Sequence, residues 1–265
     1  MQRIVVDWIE YNANQRGGHT ATIERPSGRF QTYDEMHIRV GRIARMLLDR
    51  GVQRGDRVGV LALNTQDQLD LVFATWRIGA VHLALNFRLT PSELDFIIGN
   101  AEPKLLVFDR ALATTVEALT VEVPVVIETE GQGGASAFEE SIVSGEPVLQ
   151  MVELDSDDPC MLMYSSGTTG LPKGVIMTHG MMIWANVNAG AAFYCDQDMV
   201  SLSVMPLFHI GGLQIFALPA LCAGGTAVIA RTFEPGDTLA LMSDPELGIS
   251  HFLGVPAIYL SLIHI

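Results

Sequence analysis

The residues best suited to chemistry form one run of hydroxyls and glycines that ends in a lysine. In chain order they are Ser165, Ser166, Gly167, Thr168, Thr169, Gly170 and Lys173. Glycine allows backbone angles that other residues avoid, so consecutive N–H groups can turn toward one guest. The hydroxyls add side-chain donors, and the lysine adds a mobile positive charge. This combination predicts a binding site for a polyphosphate.

The run follows an apolar segment, residues 161–164, that has the length and character of a buried strand. A plain surface loop between two strands is a common alternative for such a composition. An unrelated P-loop enzyme is disfavoured, because Lys173 follows Pro172 and precedes Gly174, whereas a P-loop lysine lies between Gly and Ser or Thr. A dinucleotide-binding enzyme is disfavoured as well, since no G-x-G-x-x-G opens a helix here.

Residues 165–175, followed by Thr178 and His179, resemble the nucleotide-binding signature of the adenylate-forming enzymes. That superfamily includes acyl-CoA synthetases, luciferases and the adenylation domains of peptide synthetases. Further segments are similar to the acyl-CoA synthetases in their order and spacing. They are Thr32–Tyr33, residues 55–58, Asn64, residues 79–81, Leu85–Asn86 and Glu93. Each of them also has a structural explanation, so we assign none of them a catalytic role.

The second candidate site is His209, which lies in an apolar stretch before Gly211 and Gly212. A lone histidine in such a stretch is usually a core residue. In the acyl-CoA synthetases, however, the matching histidine lies at the carboxylate end of the acyl pocket, near the ATP α-phosphate. Amino-acid adenylation domains carry an acidic residue that binds an amino group, and this sequence has Phe208 and His209 instead. The resemblance therefore implies an apolar carboxylic acid, with a fatty acid as the leading example.

The resemblance implies a reaction in two steps. A carboxylate attacks the α-phosphorus of Mg-ATP, which gives an acyl-adenylate and pyrophosphate, and the thiol of coenzyme A then displaces AMP. The loop N–H groups, Thr168, Thr169 and Lys173 would neutralise charge on the departing pyrophosphate. We thus expect ATP, Mg²⁺ and coenzyme A as cofactors or co-substrates, and His209 as the catalytic residue.

The elements around these residues alternate in a regular way. Capping boxes from Thr32 to Glu35 and from Thr90 to Glu93 begin two helices, and residues 20–31 predict a small hairpin. Strands separated by helices indicate parallel pairing, so we expect an α/β fold with parallel sheets flanked by helices. The predicted strands cover residues 57–63, 81–86, 104–109, 124–128, 201–205, 226–230 and 251–255, and further helices cover residues 4–15, 66–77, 180–192, 213–222, 235–242 and 256 onward.

The composition argues against several classes of partner. The net charge of −14 disfavours a nucleic-acid surface, and no basic run indicates an anionic membrane. Residues 199–230 lack charged side chains, but prolines and glycines divide them, so a buried core is favoured over a transmembrane segment. Cys160, Cys195 and Cys222 are widely spaced and predict buried free thiols in a reducing compartment, which favours the cytoplasm.

The resemblance covers nearly the whole chain but includes none of the family's later motifs. We therefore expect residues 1–265 to form an incomplete, large N-terminal AMP-binding domain with a subdomain break near residue 180, without the C-terminal lid domain. Such a fragment would be inactive alone, and its exposed apolar surface would favour homo-oligomers or aggregation. The alternative is a non-catalytic module that retains the fold as a nucleotide or acyl binder.

Overall fold

The computed structural model describes residues 5–143, 145–165 and 171–264. Eleven strands lie in these ranges and form two sheets. The strands are β1 (Thr20–Arg25), β2 (Phe30–Thr32), β3 (Arg57–Leu61), β4 (Val81–Ala84), β5 (Leu105–Asp109), β6 (Val125–Thr129), β7 (Pro159–Ser165), β8 (Lys173–Thr178), β9 (Val200–Ser203), β10 (Thr226–Ala230) and β11 (His251–Phe252).

The helices alternate with these strands. A 3₁₀ turn, Arg110–Leu112, precedes α5, and a π-helical stretch, Leu213–Ala217, joins α8 to α9. The helices are α1 (Trp8–Arg16), α2 (Tyr33–Asp49), α3 (Gln66–Arg77), α4 (Pro91–Ala101), α5 (Ala113–Glu117), α6 (Ala137–Ile142), α7 (His179–Phe193), α8 (Ile210–Gly212), α9 (Leu218–Ala223), α10 (Pro235–Ser243) and α11 (Pro256–Ile263).

The first sheet has the strand order β11-β9-β10-β1-β2, and the second has the order β6-β5-β3-β4-β7-β8. Neighbouring strands are parallel except for two antiparallel edge pairs, β1–β2 and β7–β8. The expected α/β fold with parallel sheets flanked by helices is thus confirmed, with antiparallel hairpins at one edge of each sheet. The chain passes from the second sheet to the first after Thr178, while β1 and β2 bring its beginning into the first sheet.

Local sequence signals set the starts of the helices. At α2, the N–H and hydroxyl of Thr32 both donate to the carboxylate of Glu35, at 2.8 and 2.9 Å. Thr90 and Glu93 make the same reciprocal pair before α4. Both predicted capping boxes are therefore present, and each satisfies N–H groups that a helix start leaves without partners.

Helix α3 is the most deeply placed helix, because all of its residues are buried. It carries two carboxylates into the core, so they must be paired. Asp67 accepts hydrogen bonds from Arg29 and Arg39 at 2.8 Å each, and Arg39 also donates to Asp70 at 2.9 Å. Burial alone would raise the pKa of Asp67, but the two guanidinium groups hold it below its usual value. These ion pairs tie α3 to α2 and to the β1–β2 hairpin.

The uncharged stretch from residue 199 to residue 230 contributes β9, the helical run from α8 to α9, and β10. The prediction of a buried core segment is confirmed. Among the described residues, no helix is long and apolar enough to cross a membrane. The three thiols are free, as expected. Cys160 and Cys222 are buried, but Cys195 is partly exposed at the end of α7, so the prediction of three buried thiols is wrong for that residue.

Candidate functional site

An apolar cavity of about 170 Å³ opens where β4 and β7 end. Its wall also includes the segment that follows β9. In open α/β sheets, ligands bind at the carboxyl ends of parallel strands, and ligand sites combine apolar walls with a few polar groups. The apolar wall includes Ala84, Leu85, Ile97, Met163, Met177 and Phe208, and the polar members are Asn86, Tyr164, Ser165 and His209.

A larger cavity of about 480 Å³ adjoins the first and shares Ser165 and His209 with it. This second cavity is also lined by Leu171 and Pro172. Two predicted site residues from distant parts of the sequence, Ser165 and His209, therefore lie beside the same open space. Leu171 and Pro172 belong to the signature that Ser165 begins, so the end of that signature lies at this space as well.

The β7–β8 hairpin carries the remaining predicted residues. Ser165 ends β7 and pairs in register with Lys173, which begins β8. Both residues are exposed at the end of the hairpin. The register brings the first hydroxyl and the lysine of the run next to each other. Ser166, Gly167, Thr168, Thr169 and Gly170, which are the other predicted phosphate-binding residues, lie outside the described residues.

His209 is exposed, so it is not a core histidine. Its Nδ1 accepts a hydrogen bond from the N–H of Gly211 at 3.1 Å, and His209 thereby caps the start of α8. Because Nδ1 is the acceptor, the neutral ring carries its proton on Nε2, which is then a donor. An Nε2–H donor at the cavity can hydrogen-bond an oxygen of a bound carboxylate.

The tight approach of α8 to the preceding segment depends on one of the two glycines after His209. A Cβ on Gly212 would lie 2.4 Å from the carbonyl oxygen of Pro206, which no side chain can do without moving the backbone. A Cβ on Gly211 would have its nearest neighbour, Nδ1 of His209, at 3.4 Å. The close approach of α8 to Pro206 therefore requires glycine at position 212 and not at position 211.

An aromatic pair with a cation lies next to His209, and the sequence patterns did not indicate it. The rings of Phe87 and Phe208 meet edge to face, with centroids 5.1 Å apart. The guanidinium of Arg88 lies 5.7 and 5.9 Å from the two ring centroids. Stacking on both rings holds this positive charge beside the cavity wall.

Tyr164 fixes β7 one residue before the loop end of the hairpin. Its hydroxyl donates to Oδ1 of Asn100 near the end of α4, at 2.6 Å. Burial raises the pKa of Tyr164, so the hydroxyl stays protonated and able to donate near neutral pH. This contact joins the strand that precedes the predicted phosphate loop to α4, which flanks the cavity.

A magnesium site was expected only as the companion of ATP. Among the described residues, no group of three or more His, Cys, Asp or Glu side chains could hold a metal ion. The side chains described here therefore do not fit a resident metal, and we derive no step through Mg²⁺.

Two mostly parallel sheets flanked by helices define an α/β protein with an apolar cavity, which Ser165 and His209 both line. The family model of the AMP-binding enzymes matches residues 9–264. The chain belongs to that family.

Known proteins similar to the chain act on different acids. It is 36% identical over 243 residues to a feruloyl-CoA synthase of Amycolatopsis sp, covering 90% of this chain and 46% of the relative. It is 35% identical over 257 residues to a long-chain-fatty-acid–CoA ligase of Thermus thermophilus, covering 92% of this chain and 44% of that ligase. The chain thus spans about half the length of the curated relatives it matches.

Solved structures show the same fold. ATP-bound MatB of Rhodopseudomonas palustris is 27% identical, with a TM-score of 0.87 over 98% of this chain and 51% of MatB. The N-terminal domain of FACL13 of Mycobacterium tuberculosis has a TM-score of 0.90 at 24% identity, over 99% of this chain and 66% of that structure. The second likeness concerns the fold alone.

Proposed function

We propose that the chain is the nucleotide- and acid-binding part of an ATP-dependent acyl-CoA ligase. The observation that carries this proposal is that Ser165 and His209 line one apolar cavity, beside the end of the signature at Leu171 and Pro172. Family membership and the CoA-ligase relatives support the reaction class. We also propose a subdomain break near residue 180, and the exit of the chain from the second sheet after Thr178 supports it.

The proposed first step transfers an adenylyl group. A carboxylate oxygen of the acid bonds to the α-phosphorus of ATP, and the bond from that phosphorus to the pyrophosphate oxygen breaks. Neutralisation of charge on the phosphates favours departure of pyrophosphate. In this proposal the phosphates are bound by Ser165, Ser166, Gly167, Thr168, Thr169, Gly170 and Lys173. His209 donates from Nε2 to a carboxylate oxygen and orients it for in-line attack. In the second step, the thiol sulfur of coenzyme A loses its proton to solvent and bonds to the acyl carbon, and the bond from that carbon to the phosphate oxygen breaks, so that AMP leaves.

We propose an apolar carboxylic acid as the substrate class, with fatty acids as the first candidates. The mostly apolar wall of the 170 Å³ cavity supports this class, because none of its described lining residues is acidic. Glu93 lines the adjoining cavity, but its carboxylate already accepts from the N–H and hydroxyl of Thr90. The relatives named above act on a hydroxycinnamic acid and on long-chain fatty acids. Aromatic acids are therefore the second group of candidates. The free thiols support a cytoplasmic location.

The test uses the chain's two lysines, Lys173 and Lys104. Lys173 begins β8 at the cavity end of the hairpin, whereas Lys104 precedes β5 and is similarly exposed. Binding of Mg-ATP, and of a stable acyl-adenylate analogue with fatty or aromatic acyl groups, is measured by calorimetry. We expect Lys173→Ala to weaken binding of Mg-ATP at least about tenfold, the effect of one charged hydrogen bond, with an unchanged melting temperature. Binding of the acyl-adenylate analogue should weaken less, because it lacks the pyrophosphate that Lys173 is proposed to contact. Lys104→Ala should have little effect on either ligand.

Further measurements distinguish the proposed ligase from a non-catalytic nucleotide-binding module. His209→Gln should weaken binding of the acyl-adenylate analogue more than binding of ATP, because His209 is proposed to contact the carboxylate. Equal effects of the two lysine variants, or no binding of either ligand, would contradict the proposal. Binding of ATP with no preference for any acyl-adenylate analogue would instead favour a non-catalytic nucleotide-binding module.

A further inference from the structure

Asn64 lies three residues after β3, at the point where the two sheets approach each other. Its side chain is 3% exposed. Nδ2 donates to the carbonyl oxygens of Met205 and Ala230, at 3.0 and 3.1 Å. Oδ1 accepts from the N–H of Leu207 at 2.8 Å. One planar amide therefore joins the loop that follows β3 to the end of β10 and to the segment that follows β9.

The contacts to Met205 and Leu207 hold both sides of Pro206. From there the hydrogen bonds continue to the imidazole, since the N–H of His209 donates to the carbonyl oxygen of Pro206 at 3.1 Å. The ring nitrogen Nδ1 of His209 in turn accepts from Gly211. Hydrogen bonds and the short backbone segment from Met205 to Leu207 thus connect the Asn64 amide to the histidine at the cavity.

We propose that Asn64 is a positioning residue that sets the place and the tautomer of His209. The catalytic meaning of this proposal rests on the proposed function, but the positioning itself does not. Asn64 joins the second sheet to two parts of the first. It therefore helps to fix the distance between His209 and Ser165, which lies at the end of β7. Both residues line the same cavity but are carried by different sheets.

Asparagine fits this position because two donors and an acceptor are needed within one short planar group. Aspartate would keep the acceptor for Leu207 but would place a second oxygen against two carbonyl oxygens. Alanine would leave all three backbone groups without this partner. These differences make Asn64→Asp and Asn64→Ala graded variants of the same interaction.

A purely structural role is the competing explanation, so the control is another buried side chain that ties backbone segments together. Tyr33 is fully buried, and its hydroxyl contacts the carbonyl oxygens of Leu221 and Gly225 at 3.1 and 2.7 Å. Tyr33→Phe removes these two bonds without touching residues 205–209. It should lower thermal stability but leave the histidine unchanged.

The experiment follows the imidazole nitrogens of His209 by long-range ¹⁵N–¹H NMR, with assignment by the signal lost in His209→Gln. In the unaltered chain we expect the Nε2–H tautomer, and slow solvent exchange of the Leu207 amide. Asn64→Asp should shift the ring signals toward a mixture of tautomers, and Asn64→Ala should shift them further. In the Asn64 variants whose ring signals shift, binding of the acyl-adenylate analogue should also weaken by about tenfold, which is the effect of one lost hydrogen bond.

Two results would overturn the inference. In the first, the His209 signals of a folded Asn64 variant superimpose on those of the unaltered chain, or they shift no further than they do in Tyr33→Phe. The other, which needs no variant to fold, is a Leu207 amide that exchanges as fast as an exposed loop amide. If the chain binds no adenylate analogue, the proposed function fails, while the NMR result still decides the role of Asn64.

Discussion

His82 lies on β4, which pairs with β3 and β7, and its side chain is fully buried. Neither of its ring nitrogens has a hydrogen-bond partner among the residues that the structure describes. Burial lowers the pKa of His82 from 6.5 to about 3, so the folded protein keeps the ring neutral. His179, at the start of α7, is a similar case, because burial lowers its pKa to about 4. Both groups disfavour the folded state in acid.

The sign of the pH dependence follows from proton binding. Below pH 6.5 the unfolded chain binds protons at His82 that the folded chain does not bind, so stability falls as the pH falls from 6.5 toward about 3. At pH 5 this costs about 2 kcal/mol relative to pH 7.5. The unfolding free energy of the unaltered chain should therefore fall by about 2 kcal/mol more between pH 7.5 and pH 5 than that of His82→Leu, which lacks the titrating group. Urea denaturation at the two pH values measures it.

The control for His82→Leu changes the core without removing a titrating group. Met161 pairs in register with His82 across β4 and β7, and Met161→Leu conserves volume. Its unfolding free energy should change between the two pH values by the same amount as that of the unaltered chain. If the unfolding free energy of His82→Leu changes by that amount as well, His82 is protonated in the folded state and our account of its burial is wrong.

At the scale of elements, the helical run after His209 depends on the close approach of Gly212. A Cβ at this position would meet the carbonyl oxygens of Pro206 and Met205 at 2.4 and 2.6 Å. Both are backbone atoms, and Asn64 holds that of Met205 from the other side. The segment cannot yield without moving either His209 or the link between the sheets.

We expect Gly212→Ala to lower the unfolding free energy by about 1–3 kcal/mol, the usual effect of an overpacked site. Gly211→Ala is the matched control, because its Cβ has ordinary space and alanine favours helix. Thermal denaturation of both variants makes the comparison. Equal melting temperatures for the two variants would show that α8 can shift away from Pro206 at no measurable energetic expense.

The accuracy of prediction also differed between elements, according to how far apart the interacting residues lie. The bounds of α3 were predicted to the residue, because its N-cap Thr65 and the turn at Gly79 are local signals. The parallel pairing of β1 with β10 joins Thr22 to Ala227, and no local pattern specifies such a partner. The antiparallel strand β8 was not predicted, since the exposed Val175 and Ile176 give it no alternating pattern.

The candidate site was predicted in a similar way. The residue types of Ser165, Lys173 and His209 were readable from the sequence, together with the resemblance. Their meeting at a cavity depends on the order of strands in two sheets, which the sequence did not reveal. Asn64 was recognised only as a landmark with a structural role, because its three partners lie about 140 residues or more further along the chain. Arg88 gave no signal, since stacking on Phe208 is a tertiary contact.

At the scale of the whole molecule, the surface charge and the exposed apolar side chains have opposite effects on association between copies of the chain. Helix α7 contains no Asp, Glu, Lys or Arg, and it exposes Met181, Trp184 and Val187 by 56, 66 and 52%. Apolar side chains grouped on one helix face favour association. The net charge of −14 makes copies of the chain repel each other. Which of the two effects prevails depends on the salt concentration.

We expect the chain to self-associate through the exposed face of α7, and to do so more strongly as salt rises. Added salt shortens the Debye length from about 10 Å at 0.1 M to about 3 Å at 1 M, so the repulsion fades while apolar attraction remains. Burial of one large apolar side chain contributes about 1.5–3 kcal/mol, so Trp184→Glu should weaken association by at least about tenfold. Multi-angle light scattering across a salt series measures the mass.

The comparison variant for Trp184→Glu is Tyr11→Glu. Tyr11 is an aromatic residue on α1 that is 51% exposed, and it receives the same added charge. If association were a general response to low net repulsion, both variants would weaken it equally, because each adds one negative charge. A larger effect of Trp184→Glu at every salt concentration would assign the contact to α7. A monomeric mass that does not change with salt would contradict the prediction, because salt screens the repulsion and the exposed face of α7 would then fail to associate without it.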